Sequence, residues 1–332
     1  WAMTIGLTPL LLGLFQQVSL VSPIANAIAI PLVSLVVVPL TLLGAVLPLD
    51  AVLWLAHGVM SLVTAYLEWL NALPQAVWMQ HAPPPWSVIV GVLGAILILA
   101  PRGFPARWLG VLLMMPMFTN TPEPPAYGSA KLTIFDVGQG LSVAIQTQAH
   151  TLLYDTGPDF SGEADSGNRI LLPALKAFGI SHLDGLILTH DDIDHTGGAS
   201  SILQAMPVGW VSSSLNDSHP LLQSVRSYRR CLDGDSWEWD GVRFEFLHPE
   251  IDENISTKTR DNNLGCVLRI STGENNILLT ADIETKIEQR LLVEHVDKLA
   301  ADLLVAPHHG SKSSSSDNFV TAVKPDYAVF TV

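Results

Sequence analysis

His190-Asp191-Asp192-Ile193-Asp194-His195, followed by Gly197-Gly198, places five titratable side chains within six residues. So many carboxylates and imidazoles in one turn repel one another unless a cation is present. A bound divalent metal is therefore the simplest reading. The segment before it, residues 183–188, reads as a buried strand ending at Thr189, so the turn sits at the end of a strand.

Working outward, residues 131–135 and 141–146 read as short strands joined by Asp136-Val137-Gly138-Gln139-Gly140. Residues 151–154 read as a third strand, ending at Asp155-Thr156-Gly157. Residues 170–178 carry helical spacing. A meander of strands thus precedes a helix and the metal-type turn, as expected of a water-facing α/β domain. This domain is expected over 129–332.

A second kind of sequence precedes it. From Trp1 to Asn120 only Asp50, Glu68, Arg102 and Arg107 carry charge. Residues 25–49 and 51–70 are long and apolar enough to span a bilayer, and 86–101 and 108–118 are shorter segments bounded by tryptophan. Residues 7–18 read as the end of a span rather than a signal peptide, because no basic flank precedes them. Pro31 and Pro39 are expected either to kink packed helices, the favoured reading, or to break regular helix where protein or a water-filled path satisfies the backbone. The reading is a multi-pass helical region over 1–120 and a linker over 121–128. By the positive-inside rule, Arg102 and Arg107 place their link in the cytoplasm, so the α/β domain lies on the outer side.

Residues 127–332 hold 15 Lys plus Arg against 28 Asp plus Glu, a formal charge of −13 by subtraction. That excludes a broad basic surface for nucleic acid, and any phosphate contact has to be local or metal-assisted. Cys231 and Cys266 stand 35 positions apart without a CxxC companion, so neither a zinc knuckle nor a necessary disulfide is expected.

The order Asp155-Thr156-Gly157, His190-x-Asp192-x-Asp194-His195, Leu278-Leu279-Thr280-Ala281-Asp282 and His308-His309-Gly310-Ser311 resembles the metallo-β-lactamase superfamily over nearly all of 129–332. Asp192 stands where most of that superfamily has histidine. This feature is similar to the ComEC family of competence DNA-uptake proteins, as are Phe135-Asp136-Val137-Gly138-Gln139-Gly140 and Leu247-His248-Pro249. The run Gln17-Val18-Ser19-Leu20-Val21-Ser22-Pro23-Ile24-Ala25-Asn26, with Ile30-Pro31-Leu32, resembles the ComEC membrane region.

The resemblance implies an αββα sandwich of two mixed sheets flanked by helices, with the site at one edge. It also implies further chain on both sides: membrane segments and a small domain before Trp1, and β/α structure after Val332. Carried over by position, His190 and Asp192 face a first metal position and Asp194 and His195 a second, with Asp282 bridging. One of His308 and His309 closes the second, with the balance toward His308. The superfamily's third-motif histidine is missing, and Asn262 and Asn263 are the nearest polar residues. The first position is thus expected to be weak or empty, and manganese fits as well as zinc, as one or two ions. His248 is either a further metal partner or a strand cap. Ser311, Lys312, Ser313 and Ser314 either hold a neighbouring phosphate or form a surface loop. Asn263 and His248 are low-ranked substrate contacts, and Asp136 and Asp155 are expected to buttress loops.

The reaction expected is hydrolysis at phosphorus, in which a divalent cation lowers the pKa of water and neutralises phosphoryl oxygens. Asp192 or Asp194 would orient that water or take its proton, with His190 the third catalytic candidate. The resemblance implies a bacterial inner-membrane protein that degrades one DNA strand while the other enters the cell. Implied partners are DNA, the lipid bilayer and other competence machinery, and an oligomer is compatible with the sequence. Two other readings compete: an inactive, metal-stabilised entry module of a DNA channel, and a membrane-tethered hydrolase such as a lactonase or thioesterase.

Overall fold

The computed structural model describes the chain from Trp1 to Val332, apart from residues 48, 102, 163, 224 and 251–260. It divides into two compact units, Trp1–Pro122 with Lys176–Gly179, and Glu123–Leu175 with Ile180–Val332.

The first unit contains helices α1 (Ala2–Phe15), α2 (Ser22–Val46), α3 (Asp50–Asn71), α4 (Pro85–Leu99) and α5 (Leu109–Thr119), with a short antiparallel pair β1 (Gln17–Ser19) and β2 (Val77–Met79). Among the described residues, only α2 and α3, of 25 and 22 residues, are long and apolar enough to cross a membrane. At a rise of 1.5 Å per residue they reach about 37 and 33 Å. The prolines do not break α2. A π-helical turn at Val33–Val37 lies between them, and Val38 N donates to Val33 O. The widened turn accommodates the missing N–H and the ring of Pro39, so the helix continues rather than breaking. Gly94 of α4 and Gly110 of α5 meet backbone to backbone. A Cβ on either would lie 2.6 or 2.4 Å from the other's carbonyl oxygen, so any side chain at either position forces the helices apart. Arg107 Nε donates to Ile98 O at 3.0 Å, capping the free carbonyls at the end of α4. Arg102, the other half of the charge-based orientation, lies outside the described residues.

The second unit is a sandwich of two six-stranded mixed sheets. The first runs β10-β9-β8-β5-β4-β3, from β3 (Lys131–Ile134), β4 (Val143–Gln146), β5 (Thr151–Tyr154), β8 (Leu183–Leu188), β9 (Val208–Ser213) and β10 (Tyr228–Arg230). The second runs β11-β12-β13-β14-β15-β16, from β11 (Ser236–Trp239), β12 (Val242–His248), β13 (Val267–Ser271), β14 (Asn276–Leu279), β15 (Leu303–Val305) and β16 (Tyr327–Val329). A small hairpin, β6 (Asp159–Ser161) with β7 (Ala164–Asp165), stands apart from both. The expected strand at 141–146 begins at Val143. The expected helix at 170–178 is a π-turn at Gly167–Leu171 running into α6 (Leu172–Ala177).

Alternation along the strands builds the core. Val143, Ile145, Leu152, Tyr154 and Ile187 of one sheet meet Val242, Phe244, Phe246, Leu268, Ile270 and Leu279 of the other. Leu153, Leu186 and Leu188 point to the opposite face and are equally buried, so the first sheet is covered on both sides. Behind the second sheet, Leu278 and Leu304 pack under Ile287 and Leu291 of the helix Thr285–Glu294 and Phe319 and Val323 of the helix Asp317–Val323. Each such side chain contributes roughly 1.5–3 kcal/mol by burial.

One expectation is corrected here. Cys231 and Cys266 form a disulfide, with Cα atoms 6.0 Å apart. Cys231 follows β10 and Cys266 precedes β13, and both are fully buried between the sheets. Spacing along the chain carried no sign of this, because the pairing depends on how the sheets stack.

Candidate metal centre

Four loops meet at the carboxyl ends of strands: Asp155 directly after β5, Thr189 and His190 after β8, Asp282 after β14, and His308-His309 after β15. Backbone bonds lock them together. Asp155 N donates to Ile187 O at 2.8 Å, Thr156 N to His195 O at 2.7 Å, Leu141 N to Asp194 O at 3.1 Å and His308 N to Ala281 O at 3.0 Å. Asp155, Ala281, His308 and His309 all adopt positive φ, from 47° to 57°. Left-handed backbone at non-glycine residues costs roughly 1–3 kcal/mol each and concentrates where function fixes the geometry.

The strain aims the side chains. His195 Nε2 lies 3.1 Å from Asp282 Oδ1, and His309 Nε2 lies 3.4 Å from Asp282 Oδ2 and 3.3 Å from Asp194 Oδ2. Asp194, His195, Asp282 and His309 each offer one ligand atom, all within 4.8 Å of one another. His190 stands beside them, its ring centroid 4.2 Å from that of His195 and its Nε2 3.5 Å from Asp192 Oδ2.

A network behind the imidazoles fixes which nitrogen faces the centre. Asp155 accepts from Thr189 N and from Thr189 Oγ1, both at 2.8 Å, and from His195 Nδ1 at 2.8 Å. Having spent its proton on Asp155, the Thr189 hydroxyl can only accept from His190 Nδ1, 2.8 Å away. His309 Nδ1 pairs with Thr331 Oγ1 at 2.9 Å. In the neutral rings of His190 and His195 the Nε2 lone pairs therefore turn inward. The buried Nε2 atoms of His190, His195 and His309 have no hydrogen-bond partner among the described residues. When unprotonated, three imidazole nitrogens that face carboxylate oxygens are costly without a cation, and anchored Nδ1 atoms are the usual support of metal-binding histidines. The donor set fits a divalent ion.

The electrostatics agree. Burial pulls His195 down, but Asp155 and then Asp282 override it and raise it to about 10. Burial likewise opposes His309, which Asp194 and Asp282 raise to about 9. Asp282 is held well below the usual carboxylate range by His195 and His309 against its burial, and Asp194 is lowered by His309 in the same way. Asp192 is lowered chiefly by His190, whose Nε2 stands 3.5 Å from Asp192 Oδ2. Without a cation, protons fill the place that positive charge would take.

Other residues lie differently from expectation. His309, not His308, turns into the cluster. His308 Nε2 is 3.8 Å from Asp282 Oδ2 and 3.5 Å from Asn262 Nδ2, and its Nδ1 pairs with Ser313 Oγ at 3.1 Å. His248 is no cluster member, and its Nε2 pairs with Asn263 O at 2.9 Å. Asn263 is spent on Glu284, donating from Nδ2 at 2.8 Å and accepting from Glu284 N at 3.2 Å, so it is a brace rather than a substrate contact. Ser311 and Ser313 bond each other at 3.2 Å, Ser314 bonds Pro307 O at 2.8 Å, and Lys312 is exposed. Asp136 accepts from Gly138 N at 3.3 Å in its own loop. The sequence reading missed Thr189 and Thr331. Thr189 adjoins the motif and was within reach, whereas Thr331 comes from a distant strand end with no local signal. It also missed His219, whose Nε2 lies 3.1 Å from Asp191 Oδ1.

Comparison with known proteins matches this arrangement. Residues 135–330 match the model of the Metallo-beta-lactamase superfamily, and residues 1–105 that of Competence protein. Competence protein ComA of Neisseria gonorrhoeae is 37% identical over 99% of this chain and 45% of its own length. Recombination protein 2 of Haemophilus influenzae is 31% identical over 97% of this chain and 43% of its own. The chain thus spans less than half the length of these curated relatives. Among solved structures, the diiron β-hydroxylase CmlA of Streptomyces venezuelae aligns with a TM-score of 0.42 at 15% identity, covering 67% of this chain and 47% of that one. The chain belongs to the metallo-β-lactamase superfamily, with a competence-protein region ahead of its hydrolase fold.

Proposed function

We propose that this chain serves DNA uptake at the bacterial inner membrane, and that its metallo-β-lactamase unit hydrolyses phosphodiester bonds of one strand on the outer side. The observation that carries the hydrolytic part is the convergence of the buried His195 and His309 Nε2 atoms on Asp194 and Asp282, with His190 Nε2 beside them at Asp192. The match of residues 1–105 to competence proteins supports the choice of substrate over a lactone or thioester. The buried Cys231–Cys266 disulfide supports the outer side, since such bonds persist in oxidising compartments.

Asp194, His195, Asp282 and His309 would hold one divalent ion, manganese or zinc, and His190 with Asp192 would offer a weaker second position. Such an ion supplies Lewis acidity, lowering the pKa of water and neutralising charge on phosphoryl oxygens. Asp192, ionised and partly exposed beside His190, orients the attacking water and takes its proton. Asp155 and Thr189 keep the imidazoles turned inward, and exposed Lys312 meets the neighbouring phosphate.

The test uses the full chain in detergent with single-stranded DNA and manganese or zinc. Cleavage is expected, and it should be lost in His190→Ala and Asp194→Ala. Intact DNA under every divalent metal tried would overturn the reading. The absence of a third-motif histidine at Asn262 and Asn263 favours one competitor, a metal-stabilised but inactive entry module. DNA uptake that survives Asp194→Ala in cells would select it.

A further inference from the structure

Beside the metal-type cluster lie two large apolar side chains that the core does not use. Phe160 on β6 is 50% exposed, and Ile193, between Asp192 and Asp194, is 64% exposed. Their placement is linked. Ile193 and Gly197 are four residues apart on one helical turn, with Gly197 N donating to Ile193 O at 2.9 Å, so they share a face. The β6 hairpin lies directly against that face, because a Cβ on Gly197 would fall 2.1 Å from Asp159 N and 2.4 Å from Pro158 C. Gly140 closes the contact from another side, where a Cβ would meet Asp194 O at 2.5 Å and Pro158 Cδ at 3.0 Å. The strand carrying Phe160 is therefore seated on the turn that carries Asp194 and His195. Its base is pinned as well: Ser161 N donates to Asp159 Oδ1 at 3.0 Å and Ser201 Oγ to Asp165 Oδ2 at 2.6 Å.

What such a shelf would hold follows from charge. The unit carries a formal −13 over residues 127–332, so a polyanionic strand gains little from its general surface field. Binding has to come from contacts that do not depend on net charge. Stacking of bases on aromatic rings is such a contact and tolerates any base sequence. We infer that exposed Phe160, on the hairpin whose first residue abuts the turn carrying Ile193 and Asp194, is a stacking subsite for a nucleobase of the substrate strand, next to the phosphodiester at the cluster. This rests on the nucleic-acid reading given above.

The test compares the full chain in detergent with its Phe160→Ala and Phe160→Trp variants, on a single-stranded oligodeoxynucleotide and on an abasic strand of equal length. Metal content measured on each variant confirms that the adjoining cluster is intact. Phe160→Ala should raise KM on the normal strand about tenfold, with a smaller change in kcat, and Phe160→Trp should restore it. On the abasic strand, wild type and Phe160→Ala should be equal. A KM unmoved by Phe160→Ala, or moved equally on both strands, overturns the subsite. If wild type cleaves neither strand, the hydrolytic reading fails, and fluorescence anisotropy of the labelled strands decides the subsite alone. A preference for the base-bearing strand that vanishes in Phe160→Ala supports it, and equal or absent binding of both strands by wild type overturns it.

Discussion

The two halves of the metal centre share a turn yet are built to different completeness. Around Asp194, His195, Asp282 and His309, four ligand atoms from three loops lie within 4.8 Å of one another. Around His190 and Asp192 there is one inward nitrogen and one carboxylate that is partly exposed; of the asparagines at the expected third position, Asn262 faces His308 and Asn263 is bonded to Glu284. Affinity follows the number of preorganised donors, so under the proposed function the four-ligand half should retain an ion and the other exchange what it holds. Exchange is what a site needs where water and substrate enter.

The largest effect that would break this contrast is removal of the carboxylate that His195 and His309 both face. Asp282→Ala should abolish measurable ion retention and any hydrolysis, a loss exceeding the roughly 10–100-fold that removal of an outer-shell partner costs. His190→Ala should also abolish hydrolysis while leaving the tight position's stoichiometry at one ion by elemental analysis. Loss of all metal in His190→Ala would show that the halves are a single unit.

Next in size is Asp155→Asn, which touches no ion but anchors His195 directly and His190 through Thr189. Affinity at both positions should fall roughly 10–100-fold by metal titration. A drop confined to one position would mean that the Thr189 relay does not orient His190.

The contrast also shows how much the sequence disclosed. The early strands and the motif residues were legible, because ligands crowd into short motifs and strands form short apolar runs between turns, whereas the sandwich came from the family resemblance; strand residues 151–154 and 183–188 match the structure as read. The choice between His308 and His309 was not, because it depends on two consecutive left-handed residues that reverse which ring faces inward. Asn263 looked like a site residue by its place in the chain, yet its amide is spent on Glu284. The disulfide and Thr331 are products of sheet stacking, which no local pattern encodes. Among the apolar helices, the π-turn of α2 is a similar case: composition marks the prolines but not how the backbone absorbs them.

Protonation gives a moderate effect. In the ion-free protein His195 and His309 are raised to about 10 and about 9, so at neutral pH both hold protons that an entering ion has to displace. Apparent metal affinity should therefore climb between about pH 6.5 and 9, with proton release visible as a buffer-dependent enthalpy in calorimetry. The sign for stability is opposite. A raised folded-state pKa stabilises fully below the unfolded value near 6.5 and is lost as pH rises through the folded value. The ion-free protein should thus lose stability on going alkaline, while the loaded protein should not. Affinity that is flat over this range would show that the imidazoles are already neutral before the ion arrives.

The smallest effect concerns what lies behind the sparse half. Cys266 Sγ, which as a disulfide sulfur has no proton to donate, packs 3.5 Å from Thr189 O; that oxygen accepts from Ser214 Oγ at 2.6 Å, and Thr189 is the residue that orients His190. Tyr154 Oη, buried beside it, donates to Cys266 O at 2.6 Å. Closing a loop of 35 residues, the Cys231–Cys266 bond stabilises the folded unit by about 3–4 kcal/mol on loop entropy. Reduction should lower the denaturant midpoint accordingly. Its effect on ions should be uneven: because Cys266 Sγ packs directly on Thr189 O, occupancy of the His190 position should weaken more than that of the four-ligand position. Equal loss at both would mean that the disulfide acts only on global stability. Loss at the four-ligand position first would reverse the ranking of the two halves.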